Sequence, residues 1–280
     1  MKMFHPSHLL IYLSFVLSGF SLGAVADDDS GWQVSIGIGA GVRTNPIMDN
    51  SDLPLIVIPQ INYQDERFFI QNLDLGYTLY NGESQQLHLL ATPSYDQIFF
   101  KEWDASNFVV ETRSFASAKF DTPTVEQENR NIDKSRLHKR RMAGLAGVEY
   151  GAQYGSIDFQ IQALREVTGY YDGSEMRIAV SKNIESGKHS VKLTAGANWQ
   201  SDRTINYFYG LDEHEAPDNM FEASSGISTL LRFDWNYQLT EHWSLRLLTS
   251  FKHLGDQISR SPLTTDNNVI TAFAGGVYHF

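Results

Sequence analysis

The side chains in this 280-residue chain that could do hydrolytic or metal chemistry are nine histidines, the run Asp212-Glu213-His214-Glu215, and serines at 181, 201, 224 and 261. His5 and His8 stand in the first 26 residues. The other seven, His88, His138, His189, His214, His242, His253 and His279, show none of the i, i+2 or i, i+4 spacings that put two ligands on one face of a strand or helix. Cysteine is absent, which removes thiol catalysis, disulfides and Cys-based zinc sites. A serine hydrolase needs a nucleophile and a base that converge, and no G-x-S-x-G, H-E-x-x-H, P-loop or dinucleotide motif occurs. Gly37, Gly39 and Gly41 suggest a phosphate loop at first sight. They alternate with Ile36, Ile38 and Ala40, however, and no helix follows, so they read as small residues on one face of a strand. The expectation is a noncatalytic protein without metal or cofactor.

A second set of charges is more informative because of its phase. Arg43, Glu149, Asp158, Glu166, Arg177, Lys192, Arg232, Asp234, Arg246 and Lys252 all fall on the polar side of alternating segments. Residues 32 to 43 place Trp32, Val34, Ile36, Ile38, Ala40 and Val42 on one side and Gln33, Ser35, the three glycines and Arg43 on the other, the period of a strand. Similar segments run from 55 to 63, 68 to 79, 86 to 94, 142 to 150, 157 to 163, 176 to 182, 191 to 199, 227 to 237, 243 to 251 and 269 to 280. Phe108 to Phe120 is a weaker candidate. That makes twelve strands, with ten as the alternative, and an even count requires the weak one. Short turns at Tyr154-Gly155, Ser186-Gly187 and Thr240-Glu241 alternate with the longer connections 121–139, 201–222 and 254–268, the asymmetry of an outer-membrane barrel with its C-terminus in the periplasm. The reading is an all-β, antiparallel transmembrane β-barrel. A soluble β-sandwich or lipocalin-like barrel is the competing fold; it would turn its apolar face to a core and use shorter strands.

In a barrel the ten charges would point into the lumen, because a charge on the lipid side near the midplane costs about 2–4 kcal/mol. They would form either a mixed-charge constriction of a channel or a network that closes a small barrel. Aromatics at Tyr63, Phe68, Phe69, Tyr77, Tyr80, Tyr150, Tyr170, Tyr171, Trp199, Trp235, Tyr237 and Trp243 fit girdles at the two membrane interfaces. The basic run Lys134 to Arg141 reads as an exposed loop, with contact to lipopolysaccharide as the alternative.

The ends and the charge agree with an envelope protein. Residues 1–26 combine Lys2, an apolar run from Leu9 to Leu22 and Ala24-Val25-Ala26, which predicts a signal peptide cut before Asp27 and a barrel over 27–280. The net charge is 22 − 33 = −11, and −12 once Lys2 is removed, which excludes a nucleic-acid binder that relies on a basic excess. A mean hydropathy of −0.30 suits a barrel as well as a soluble protein, since every second residue is polar.

The final segment, Asn267 to Phe280, resembles the C-terminal signal read by the outer-membrane assembly machinery, with Tyr278 and Phe280 as its aromatics. It departs from the usual form in carrying Ala272, Ala274 and Gly276 on the outward face. Gly39-Ala40-Gly41-Val42-Arg43, Tyr63 to Leu79, Leu164 to Val167 followed by Tyr170-Tyr171-Asp172-Gly173, Asn206 to Gly210, and Asp256 to Pro262 together resemble the MltA-interacting protein (MipA)/OmpV family of outer-membrane proteins. Their order covers nearly the whole chain after residue 26, and the match is poorest over 95–140. The resemblance implies a barrel in the outer membrane of a Gram-negative cell, in contact with lipid and lipopolysaccharide. It also implies no known catalytic residues and, in one branch, a scaffold joining a lytic transglycosylase to a peptidoglycan synthase. For other members it implies a porin or a surface adhesin.

Overall fold

The computed structural model describes residues 31–100, 132 and 134–280; the predicted signal peptide and the Phe108–Phe120 segment lie outside them. The wall begins with β1 (Gly31–Arg43), continues through the two-residue β2 (Leu53–Pro54) and β3 (Val57–Gln64), and then β4 (Phe68–Gln71), β5 (Asp74–Asn81) and β6 (Gln85–Pro93). It goes on with β7 (Gly144–Tyr154), β8 (Ile157–Glu166), β9 (Ser174–Ser186), β10 (His189–Gln200), β11 (Gly226–Gln238), β12 (Trp243–His253) and β13 (Asn268–His279). β2 and β3 both pair antiparallel with β1, every later strand pairs antiparallel with the one before it, and β13 returns to β1 over Ser35↔His279 to Arg43↔Thr271, closing the ring. With β2 counted as the upper piece of β3, the barrel has twelve strands. Among the described residues no helix is long and apolar enough to cross a membrane, so strands must do so.

The alternation is inside out relative to a soluble barrel. On β1 and β11 the outward residues Ile38, Ile227 and Leu231 are 59%, 58% and 61% exposed, while the inward Ser35, Ser228 and Asp234 are buried. A water-soluble barrel would be penalised for such a surface; a lipid-facing one is stabilised by it. The outward aromatics gather at the short-turn end. Trp32, Tyr63 and Phe68 form one chain of ring contacts, His189, Trp235 and Tyr237 another, and Trp243, Tyr278 and Phe280 a third. Two expected girdle residues are elsewhere. Phe69 points inward and is buried against His88, and Tyr171 packs on the outer loops.

The strand count agrees with the expectation for a different reason. Residues 68 to 79 form two strands, not one: Asn72 adopts φ +57° and lets two residues reverse the chain, so that Gln71 pairs with Asp74. The inward set is Phe69 and Gln71 on β4, then Asp74, Gly76 and Thr78 on β5. The segment Phe-Phe-Ile-Gln-Asn-Leu-Asp-Leu hides this reversal, since Asn-Leu lacks the glycine that usually marks such a turn. That hairpin supplies the parity the weak Phe108–Phe120 segment was needed for, and the wall passes directly from β6 to β7 through Pro93↔Gly144.

At the closing seam the inward glycines of β1 allow close backbone approach. A Cβ built at Gly39 would lie 2.6 Å from Gly275 Cα and nearer still to the Ala274 carbonyl, whereas one at Gly37 would meet its nearest atom at 3.4 Å. Gly39→Ala is therefore expected to prevent ring closure and abolish the compact, heat-modifiable band on gels, and Gly37→Ala to keep it. Equal folding of the two variants would contradict this account of the seam.

Candidate functional site: the charged lumen and its outer plug

The inward face of the wall carries the ten charges singled out above, and the structure groups them. On β11 and β12, Arg232 donates through Nε and Nη2 to both oxygens of Asp234 (2.5 and 2.9 Å), and Arg246 adds a bond to the same carboxylate (2.9 Å). Lys192 on β10 lies 3.7 Å from Asp158 on β8, which also accepts from Asn183 (2.7 Å). Arg177 on β9 pairs with Glu175 (2.9 Å), and Glu149 on β7 accepts from Gln162 (2.6 Å). Glu166 ends β8 at the outer rim, where its carboxylate accepts from Thr168 and from the Asp172 backbone N–H (3.0 Å), shaping the β8–β9 loop. The alternating pattern distinguishes inside from outside but says nothing of partners: Asp74, Asp96 and Glu175 complete the network.

Arg43 and Lys252 meet a part of the molecule with no counterpart in the sequence reading. After β6 the chain turns inward through a short 3-10 helix, Asp96–Phe100, preceded by Tyr95. Tyr95 donates to Asp74 on β5 (2.7 Å) and lies under Arg177 of β9. Asp96 accepts from Gln200 on β10 (2.7 Å) and sits 3.5 Å from Lys252 on β12. Phe99 is fully buried, with Arg43 of β1 and Lys252 stacked over its ring, and its carbonyl accepts from Asn45 (3.0 Å) and Asn50 (2.7 Å). Residues 95–100 thus touch strands right round the ring and form a plug.

Above the plug the outer connections build a core of their own. The helix α1 (Asp202–Tyr209) starts at Ser201, whose hydroxyl accepts from Thr204 N–H, and buries Ile205, Phe208 and Tyr209. These pack with Ile98, Phe99, Ile47, Leu53, Leu254, Val269 and with Ile258 of the one-turn α2 (Asp256–Ser259). Burial pushes the Tyr209 phenol well above its ordinary range, so it stays neutral. Phe208, Tyr209, Phe100, Tyr171 and Tyr207 are linked by ring contacts of 4.7–6.4 Å. This is a cap with a largely apolar interior on the mouth of the barrel.

The basic run 134–141 departs from the exposed-loop reading at one position. Arg140, its side chain 6% exposed, donates to Glu215 through both terminal nitrogens (2.6 and 3.2 Å) and to the Phe208 and Gly210 carbonyls (3.3 and 2.9 Å). Arg136, Lys139 and Arg141 are exposed as expected. His138 converges with Asp212 (3.2 Å) and Glu215, which a linear spacing cannot show. Glu215 is already saturated by Arg140 and by the His138 backbone N–H (2.8 Å), so this trio is a clasp closing the cap. The Asp212 carboxylate accepts from the His214 and Glu215 backbone N–H groups (both 2.9 Å), and these hold it below the usual carboxylate range. Three of the serines considered for hydrolysis hold the fold together, and the fourth lies in an outer cleft. Ser181 pairs with Thr194 inside the wall, Ser201 caps α1, Ser261 donates to the Tyr209 carbonyl, and Ser224 lines a shallow outer cleft with Trp199 and Asp202.

The chain has recognisable relatives. The model of the family described as MltA-interacting protein MipA matches residues 36–280. The MltA-interacting protein of Escherichia coli K12 is 22% identical over 251 residues, covering 88% of this chain and 90% of the relative. Outer membrane protein Omp26La of Vibrio anguillarum is 27% identical over 163 residues, 56% of this chain and 62% of the relative. A solved NanC porin is a distant likeness, with a TM-score of 0.42 and 7% identity over 89% of this chain and 99% of that one.

Two outcomes follow from the cap. Arg140→Ala leaves Glu215 buried without its cation, a loss of about 3–5 kcal/mol for a broken buried pair. It should expose residues 134–141 and 210–216 to protease while the barrel keeps its heat-modifiable mobility; unchanged proteolysis would count against the clasp. At the rim, Arg165 donates to Asp172 (2.6 Å), with Arg203 on its other oxygen, and the Arg165 bond and charge hold this carboxyl below its ordinary value. A depressed carboxyl contributes stability above its unfolded pKa of about 3.9 and loses it as pH falls through the folded value. Pepsin nicking of residues 167–173 should therefore rise on acidification in the wild type. In Asp172→Asn it should be high and flat over the same range.

Proposed function

The chain belongs to the MltA-interacting protein MipA family and is an outer-membrane β-barrel; on that premise we propose that it is a noncatalytic envelope scaffold linked to peptidoglycan remodelling. Its partners on this reading are a lytic transglycosylase and a peptidoglycan synthase, approached from the periplasmic side, with lipid and lipopolysaccharide around the wall and outer loops. The observation that carries it is the plug. Residues 95–100 occupy the lumen beneath a largely apolar cap, and the inward charges are turned toward one another, an arrangement suited to a rigid wall rather than to a solute path. The name of the Escherichia coli relative supports the choice of partner. The ten lumen charges are, in this proposal, a closing network, and Tyr278 and Phe280 are the assembly signal, with Tyr278 in edge-to-face contact with both Trp243 and Phe280 at the periplasmic rim. The turns at Tyr154-Gly155 and Gly187 are short, which directs a partner to the periplasmic rim of the wall.

The second reading, a small-solute porin, shares the fold and differs in one measurable property. In planar bilayers the scaffold reading expects no reproducible single-channel steps from the wild type. The double variant Asp96→Ala, Phe99→Ala, which frees the plug from Lys252, Gln200 and Arg43, should produce them. Wild-type steps that shrink on neutralising Arg232 and Arg246 would establish the channel instead. Photocrosslinking from periplasmic turn positions in intact cells tests the scaffold directly; failure to capture a murein hydrolase or synthase above an unrelated barrel control would remove it.

A further inference from the structure

Arg165 is not one of the ten inward charges. β8 buries Gln162, Leu164 and Glu166 and turns Ile161, Ala163 and Arg165 outward, so this arginine stands on the lipid-facing side of the wall at its outer end. The strand register sets it in one outward row with Ala91 of β6, Ala146 of β7 and Ser174 of β9. The next outward row toward the midplane is Leu89, Val148, Ala163 and Met176, all exposed and apolar. Arg165 therefore marks the level at which the hydrocarbon belt gives way to the headgroups of the outer leaflet, where a long cationic side chain can reach the interface. Its neighbours in the row are too short to screen it, and its side chain is 64% exposed.

Two more guanidiniums come to the loop that follows it. Asp172 accepts from Arg165 Nε and Nη2 on one oxygen (3.2 and 2.6 Å) and from Arg203 of α1 on the other. Arg141, just ahead of β7, lies over the ring of Tyr170, 5.8 Å from its centroid. All three arginines are exposed. Among the described residues Asp172 is the one carboxylate paired with them, so three positive charges face one negative charge. Asp202, beside Arg203 in the chain, lines the outer cleft with Trp199 and Glu222 and bounds the patch on that side. A local excess of two cations stands out in a chain whose net charge is −11. Val167 and Tyr170, both exposed, give the same loop an apolar side.

The ligand that fits such a surface is an anionic amphiphile, with phosphate at the guanidiniums, whose planar forks match phosphate oxygens, and hydrocarbon on the rows below. We propose that Arg141, Arg165 and Arg203 form a seat on the outer rim, above β7 to β9, for the phosphorylated sugar headgroup of lipopolysaccharide, whose acyl chains lie over Val148, Ala163 and Met176. The charge excess argues for this lipid over a phospholipid: a phosphodiester brings a single negative charge to the interface, whereas a diphosphorylated disaccharide brings at least two, set apart as the arginines are. The inference rests on the outer-membrane placement and on the contact with lipopolysaccharide in the reading above, and it is independent of the scaffold role.

The test titrates the folded barrel, in nonionic detergent, with diphosphoryl lipid A and reads the bound lipid by native mass spectrometry. The triple variant Arg141→Gln, Arg165→Gln, Arg203→Gln is expected to bind about tenfold or more weakly than the wild type, the scale of lost charge-assisted hydrogen bonds. Lys182→Gln, which removes an outward cation at the periplasmic end of β9, should bind as the wild type does. Lipid A stripped of its phosphates should bind the wild type as weakly as the diphosphoryl form binds the triple variant. Folding is checked by heat-modifiable mobility. If the triple variant does not fold, Arg141→Gln, which leaves both Asp172 pairs in place, takes its part with an expected loss of about threefold. Equal binding of diphosphoryl lipid A by wild type and arginine variant, or of both lipid forms by the wild type, would overturn the seat. Displacement of lipid A by equimolar phosphatidylglycerol or inorganic phosphate would overturn its assignment to lipopolysaccharide. No periplasmic partner enters these measurements, so their failure is distinct from failure of the scaffold reading.

Discussion

Every backbone N–H and C=O in the lipid-facing wall must find a partner within the protein, because hydrocarbon offers none. A sheet meets that demand only by closing, and here closure depends on β1 and β13, whose nine paired residues bring Gly39 opposite Gly275. The inside-out alternation follows from closure. Once one face of each strand belongs to lipid, all polar and charged side chains must share the other, and the interior becomes the protein's polar compartment. The paired arginines and carboxylates of the lumen are a consequence of the wall before they are a statement about transport.

Twelve strands enclose more space than inward side chains fill by themselves. The plug answers that geometry. Tyr95–Phe100 brings an aromatic ring beneath Arg43 and Lys252 and a carboxylate beside Lys252 and Gln200, so cations that would otherwise face an open lumen acquire both charge and contact. Breaking such a buried pair is costly, while forming it stabilises little in net terms, since desolvation offsets the attraction. The network therefore specifies one arrangement of wall and plug more than it adds to stability.

Much of this was legible in the residues, and the exceptions have physical causes. Period-two alternation located the wall, its lipid-facing side and the inward phase of charges such as Arg232 and Asp234, because lipid and lumen impose opposite demands on neighbouring residues. It could not show partners: Asp96 and Arg140 find theirs across 104 and 75 residues of sequence, with Gln200 and Glu215. Nor could it show the plug, since Tyr95–Phe100 is a short helix beyond the end of a strand, where periodicity stops. The β4–β5 reversal was concealed because Asn72 makes its left-handed turn without a neighbouring glycine or proline to mark it. One signal was present and unused. Pro59 stands in the middle of a segment read as a wall strand, and a proline there points to an edge.

That proline connects the misread hairpin to the shape of the wall. An even barrel can obtain its parity from a full-length pair or from a truncated one, and both satisfy closure near the periplasmic end, where Gln64 pairs with Phe69 and Phe68 with Tyr77. They differ only above the turn. A full-length pair would require donors on β3 at position 59 and on β6 at position 93, and proline supplies neither. The sequence is thus locally consistent with the short hairpin and inconsistent with the tall one.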